Sequence, residues 1–296
     1  MKQATPFHGI HVAIATPFKG NRVDIPTLKR LTRWLIEQGV DGIVPCGTTG
    51  EAPTLSTREQ QQVVETVVEV ADGRCLITAG CGNNNTQSTV EKLRETAAWG
   101  ADAALVVAPF YNRPPQAGLI AHFRAAAEAS ALPIVIYNIP GRTAVAIEPE
   151  TMATICEHPQ VIAIKESSGS LITASRMKVL IPNRVSLLAG DDILLLPLLA
   201  IGGKGAISAA ANIIPLQMKK ICIAVAEHDD TTAQRIHAEL VPVIDALFMT
   251  TNPIPVKAAL SLMGFGSADV RLPLVPLTDS QLGLLRKQLV AGGIIA

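Results

Sequence analysis

No excess charge of either sign runs through the 296-residue chain, in which 25 Lys and Arg balance 25 Asp and Glu. The charged residues are interspersed, so there is no basic stripe for nucleic acid and no polybasic segment for an anionic membrane. No apolar run reaches the roughly 18 residues of a spanning helix. The N-terminus MKQATPFHGI lacks the long apolar segment of a signal peptide. The chain therefore reads as cytoplasmic, with a small molecule or another copy of itself as partner. Its five cysteines, Cys46, Cys75, Cys81, Cys156 and Cys222, are odd in number, widely spaced and without a C-x-x-C pair. Such usage suits a reducing compartment, argues against a zinc site and leaves the thiols as small buried hydrophobes. The histidines show neither H-x-x-x-H nor H-E-x-x-H spacing, so the sequence supports no metal. No G-x-G-x-x-G follows the first apolar run, which removes the usual dinucleotide fingerprint.

What is present is a repeated alternation. Eight short apolar, β-branched runs recur: HVAIATP from 11, GIVPCG from 42, CLITAG from 75, AALVVAP from 103, PIVIYN from 133, VIAIKE from 161, VSLLAG from 185 and GAIS from 205. Helical periodicity lies between most of them, as in Leu28, Leu31, Leu35 and Ile36, or Val63, Val64, Val67 and Val68. A capping box at Ser56 and Glu59 marks one helix start and another at Thr278 and Gln281 marks a late one. Continuous rather than alternating hydrophobicity predicts strands covered on both faces, as in parallel sheets wrapped by helices. Eight such units predict a (β/α)8 TIM barrel over residues 1–228. Residues 229–296, where strand signals stop, form a C-terminal helical extension packed on the barrel.

In this fold the catalytic groups come from the C-terminal ends of strands and the loops after them. Four groups qualify: GTTGE at 47–51, the loop PFYNRP, the segment YNIPGRT, and the lysine that closes VIAIK. GTTGE is either an ordinary turn or a cradle of N–H groups and hydroxyls for a carboxylate. Tyr111 and Tyr137 are the chain's two tyrosines, and both fall at or just past strand ends. Lys165 could snorkel to solvent or pair with Glu166. However, Glu166 should face the other way, because successive strand residues alternate. A lysine turned into a barrel loses hydration, which disfavours its ammonium and leaves an amine able to attack a carbonyl. Arg142 suits bidentate capture of a carboxylate, although a surface ion pair is the commoner fate of a loop arginine. IGGKGAIS at 201–208 reads as a tight turn around a short strand, with a phosphate loop after the seventh strand as the alternative.

Taken in order, GTTGE, YNRP, YNIPGRT, IKESSG, AGDD, GKGAIS, NPIPVK and RLPLVPL resemble the dihydrodipicolinate synthase family over nearly the whole chain. That family belongs with the pyruvate-dependent aldolases. The resemblance implies condensation of pyruvate with L-aspartate 4-semialdehyde on the diaminopimelate route to lysine, with no cofactor. It implies that Lys165 forms the imine, Tyr137 shuttles protons, and Thr48 and Tyr111 complete a hydroxyl relay. Thr49, the backbone at Ile207 and Gly190 of AGDD would hold pyruvate, and Arg142 would meet the semialdehyde's carboxylate. Tyr111 would reach a neighbouring subunit, which implies a homodimer or homotetramer. Where lysine-inhibited members carry Ser, His, His, Asn, Glu and Tyr, this chain has Ala52, Thr57, Gln60, Asn84, Ser88 and Phe110. That departure predicts insensitivity to lysine. Another pyruvate-type lyase, acting on N-acetylneuraminate or 4-hydroxy-2-oxoglutarate, a non-catalytic metabolite-binding barrel and an isomerase of phosphorylated sugars are the competing readings.

Overall fold

A computed structural model describes residues 7–296. Residues 1–6, on which the reading of a missing apolar leader partly rests, lie outside the described residues. The barrel strands are β1 (Gly9–Val12), β4 (Gly42–Ile43), β5 (Leu76–Gly80), β6 (Ala103–Val107), β7 (Ile134–Asn138), β8 (Val161–Glu166), β9 (Ser186–Ala189) and β10 (Gly205–Ser208). They close in the order β1-β10-β9-β8-β7-β6-β5-β4, and every strand register resolved in the closed sheet is parallel. Each coincides with one of the eight apolar runs. A short antiparallel hairpin, β2 (Phe18–Lys19) with β3 (Arg22–Val23), was not signalled by the sequence. Its arms are two residues each, too short to show any period.

By contact density the chain forms two compact units. One comprises Thr78–Ile207 with the strand start at Gly9, and the other Ile10–Ile77 with Ser208–Ala296. In the first, α3 (Thr86–Ala98) packs on α4 (Gln116–Ala129) and α6 (Pro149–Cys156) on α7 (Leu171–Leu180). A single helical turn, α5 (Pro140–Thr143), follows β7, and α8 (Leu195–Ala200) follows β9. The second unit packs α1 (Ile25–Glu37) on α2 (Thr57–Ala71) and α9 (Pro215–Ala226) on α10 (Asp230–Leu247). Helices α11 (Ile254–Leu262) and α12 (Asp279–Ala291) complete its C-terminal end.

The two segments whose helical periodicity the sequence shows lie in α1 and α2. In α1, Leu28, Leu31 and Leu35 are fully buried, each contributing about 1.5–3 kcal/mol relative to exposure. Asp24 caps its start by accepting from Thr27 N. Both capping boxes are present, at Ser56 with Glu59 and at Thr278 with Gln281. Glu59 does more than the pattern shows. Its carboxylate also receives both terminal nitrogens of Arg271, at 3.0 and 2.5 Å. The Arg271 guanidinium is the main reason its pKa is held down at about 2. The segment after α11 is thereby tied to the start of α2. Among the described residues no helix is long and apolar enough to cross a membrane.

Candidate active site

Lys165 is the fifth residue of β8 and lies in register with Tyr137 of β7. It is 6 % exposed, so the snorkelling alternative does not hold. Its Nζ sits over the face of the buried Tyr137 ring, 4.2 Å from the centroid, where the ring's negative face attracts a cation. Glu166 points the other way, as alternation requires. Its Oε2 accepts from Asn138 Nδ2 at 2.8 Å and its Oε1 from the Ser168 N–H at 2.7 Å. Burial pushes the Glu166 carboxyl up from its ordinary pKa, and these hydrogen bonds work against that shift. The charge that faces Lys165 is instead Asp191, just past β9. Burial raises the Asp191 pKa, while Lys165 and a hydrogen bond from the Gly169 backbone oppose the rise. The sequence motif AGDD contains this residue, but nothing in its spacing marks it as the counter-charge.

Gly190 borders the same space and leaves it open. A Cβ built there would lie 1.8 Å from Ser167 Oγ, 2.9 Å from Lys165 Cε and 3.0 Å from Lys165 Cγ. Any larger residue would collide with the stem of the Lys165 side chain. Its N–H donates to the Glu166 carbonyl at 2.8 Å. Ile207 is buried in β10, whose neighbouring residue Ala206 pairs with Ala189. Arg142 lies exposed on the α5 turn directly after β7. Tyr111 is not packed with Tyr137 and Lys165: it is 88 % exposed, at φ 71°.

The other unit holds the paired threonines. Thr49 is 1 % exposed, and its Oγ1 accepts from Asn252 Nδ2 at 3.0 Å. With a lone pair engaged in this way, the hydroxyl keeps its own proton free to donate onward, the direction a carboxylate ligand needs. Thr48 is half-buried, and its carbonyl accepts from the Glu51 N–H at 3.1 Å. Glu51 adopts φ 53°, and its carboxylate meets Lys257 at 2.5 Å with both side chains almost fully buried. Lys257 also lies over the Phe18 ring, 3.9 Å from the centroid, and the Arg271 N–H donates to Glu51 Oε2 at 2.9 Å. GTTGE is therefore an anchored loop. Its anchors, Asn252, Lys257 and Arg271, escaped the sequence reading because they lie some 200 residues downstream.

IGGKGAIS proves to be a turn at the N-terminal end of β10. The N–H groups of Gly202, Gly203 and Lys204 donate to the carbonyls of Leu199, Leu198 and Leu187. None of them is left to cradle a phosphate. Of the cysteines, Cys46, Cys81 and Cys156 are buried. Burial pushes the Cys81, Cys156 and Cys222 thiols up to about 12, which makes them inert at neutral pH.

Known proteins with this sequence pattern are numerous. The model of the dihydrodipicolinate synthetase family matches residues 6–291. A 4-hydroxy-tetrahydrodipicolinate synthase from Citrifermentans bemidjiense is 46 % identical over 279 residues, spanning 94 % of this chain and 96 % of the relative. Among solved structures, a chloride-inhibited dihydrodipicolinate synthase from Acinetobacter baumannii complexed with pyruvate superposes with a TM-score of 0.95. It is 39 % identical, over 97 % of this chain and 99 % of that one. A lysine-bound enzyme of the same kind from Cyanidioschyzon merolae also gives a TM-score of 0.95, at 38 % identity over 98 % and 99 % of the two chains.

Proposed function

The chain belongs to the dihydrodipicolinate synthetase family, and from that premise we infer how its residues carry out the reaction. It is a 4-hydroxy-tetrahydrodipicolinate synthase, a lyase of lysine biosynthesis that joins pyruvate to L-aspartate 4-semialdehyde. The observation that carries our assignment of roles is the buried Lys165 amine, seated over Tyr137, with Gly190 leaving room beside its stem.

Lys165 attacks the pyruvate ketone, a C–N bond forms, and water leaves to give a protonated imine. That imine is an electron sink, so the pyruvate methyl loses a proton near neutral pH and an enamine results, with no metal required. The enamine carbon then attacks the aldehyde of the second substrate. Finally the semialdehyde's own amine displaces Lys165 and closes the ring. Tyr137, in contact with the amine, moves the protons. Thr48 and Tyr111 extend the path, because a chain of hydroxyls spreads charge that one phenol holds poorly. Thr49 and the Ile207 backbone hold the pyruvate carboxylate beside Gly190, and Arg142 meets the carboxylate of the semialdehyde.

Tyr111 supports the further proposal that the enzyme works as a homodimer or homotetramer. A left-handed conformation costs a non-glycine residue about 1–3 kcal/mol, and here the cost holds an aromatic ring out in solvent. Covering by a second copy, whose site it would complete, gives that arrangement a purpose. We place the enzyme in the cytoplasm, in keeping with its odd, widely spaced cysteines. In domain terms, we treat residues 229–296 as a helical extension of a barrel formed by 1–228.

The test is an initial-rate assay. Pyruvate with L-aspartate 4-semialdehyde should turn over, whereas cleavage of N-acetylneuraminate or 4-hydroxy-2-oxoglutarate should be slower by about 10²-fold or more, the discrimination a site built for different polar groups achieves. Preference for either cleavage reaction would replace this reading with a lyase of the other type.

The same assay checks feedback. Ser88 has no carboxylate to meet a lysine ammonium, and Phe110 has no hydroxyl. The Gln60 amide is already spent on the carbonyls of Ala52 and Leu55, at 3.1 and 3.3 Å. Added lysine should therefore leave the rate unchanged through the millimolar range. Half-inhibition at submillimolar lysine would show that these residues build a lysine site after all.

A further inference from the structure

We propose that Ser167 is a further catalytic residue of this site, whose hydroxyl donates a hydrogen bond to the aldehyde oxygen of the second substrate as that oxygen becomes an alkoxide. The proposal rests on the functional reading above. Side chains alternate along a strand, so Ser167, two residues beyond Lys165, shares its face. The Ser167 N–H donates to the Asn138 carbonyl at 2.8 Å and continues the β8–β7 ladder, which fixes that orientation. At about 3.3 Å per residue, the serine backbone stands about two residue rises nearer the barrel mouth than the lysine. That is the side from which a second substrate must approach an imine already formed on Lys165.

Ser167 is 7 % exposed, and its Oγ has no hydrogen-bond partner among the described residues. Buried hydroxyls are almost always paired, and one left unpaired is costly, so such a group calls for a ligand. The surroundings point to the same place. Ser167 Oγ and Lys165 Cε converge on the space that a single methyl on Gly190 would fill, at 1.8 and 2.9 Å from that position. The hydroxyl therefore borders the nucleophile's stem, and Gly190 keeps the space between them open.

The chemistry balances without an outside reagent. As the enamine carbon bonds to the aldehyde carbon, the carbonyl π pair moves onto oxygen. The proton given up by the pyruvate methyl balances the one this oxygen takes up to become a hydroxyl. A donor already in place where the negative charge develops lowers that barrier, and removing one such donor typically costs about 10²–10³-fold in kcat.

Ser167→Ala separates the two half-reactions. The expected result is a fall of about 10²-fold in kcat with semialdehyde, unchanged borohydride trapping of pyruvate, and a thermal midpoint no lower than wild type. Ser167→Cys, with its weaker donor, should fall between the two. Semialdehyde turnover within twofold of wild type in Ser167→Ala would overturn the proposal. So would a parallel loss of the pyruvate adduct, or a lowered midpoint that marks the serine as structural. A wild-type enzyme that traps pyruvate but consumes no semialdehyde would instead overturn the functional reading, and this role with it.

Discussion

Lys257→Met is expected to destabilise the protein by about 3–5 kcal/mol, the usual cost of removing one partner from a buried ion pair. Methionine fills much of the lysine's volume, so the loss reports charge rather than a cavity. The Lys257 and Glu51 side chains are 2 % and 1 % exposed and meet at 2.5 Å. Burial pushes the Lys257 pKa down, and the Glu51 carboxylate opposes that shift. Without the lysine, Glu51 keeps the Arg271 N–H at 2.9 Å but loses its charge partner in a place water does not reach. Because Glu51 sits two residues from Thr49, the damage should also reach the carboxylate site proposed there. The double variant Lys257→Met with Glu51→Gln removes both charges and should recover a large part of the loss. Urea unfolding of the two single variants and the double one gives the coupling directly. A single-variant loss below about 1 kcal/mol, the level of an exposed pair, would show that the pair is not the anchor described here.

The fold was legible because its signals are local. Eight apolar runs and the helices between them each occupy a few consecutive residues, and the closed order follows from their number. The β2–β3 hairpin was not legible, since four paired residues carry no period. The candidate site divides in the same way. Lys165 and Tyr137 stand out because a charged or hydroxylated residue ends an apolar run. Ser167 was equally visible, two residues past the lysine and therefore on its face, but an unsatisfied hydroxyl is recognised only when its surroundings are known. Asp191, Asn252 and Lys257 depend on contacts between distant segments, and no spacing rule brings Lys257 to Glu51 across 206 residues. Tyr111 shows the opposite limit. The residue itself was found, yet its ring is 88 % exposed, and the relay role proposed for it rests on the proposed second copy.

Lys165→Ala is expected to lower kcat by about 10³-fold or more, as loss of a covalent nucleophile does, while leaving the fold intact. The side chain makes no ion pair with Glu166, whose hydrogen bonds go to Asn138 and Ser168. Truncating it should therefore cost stability through lost packing against Tyr137 and through loss of the charge that steadies the buried Asp191 carboxylate. Lys165→Arg should be just as inactive, because a guanidinium stays protonated and cannot form the imine. Neither variant should be rescued by raising pyruvate, since the missing step is covalent rather than one of binding.

Borohydride reduction of the enzyme in the presence of pyruvate, followed by mass analysis of its peptides, reads out directly the assignment of imine formation to Lys165. A carboxyethyl adduct is expected on Lys165 in the wild type, on no other lysine, and none in Lys165→Ala. An unmodified Lys165 peptide, or an adduct that persists elsewhere in the variant, would contradict it.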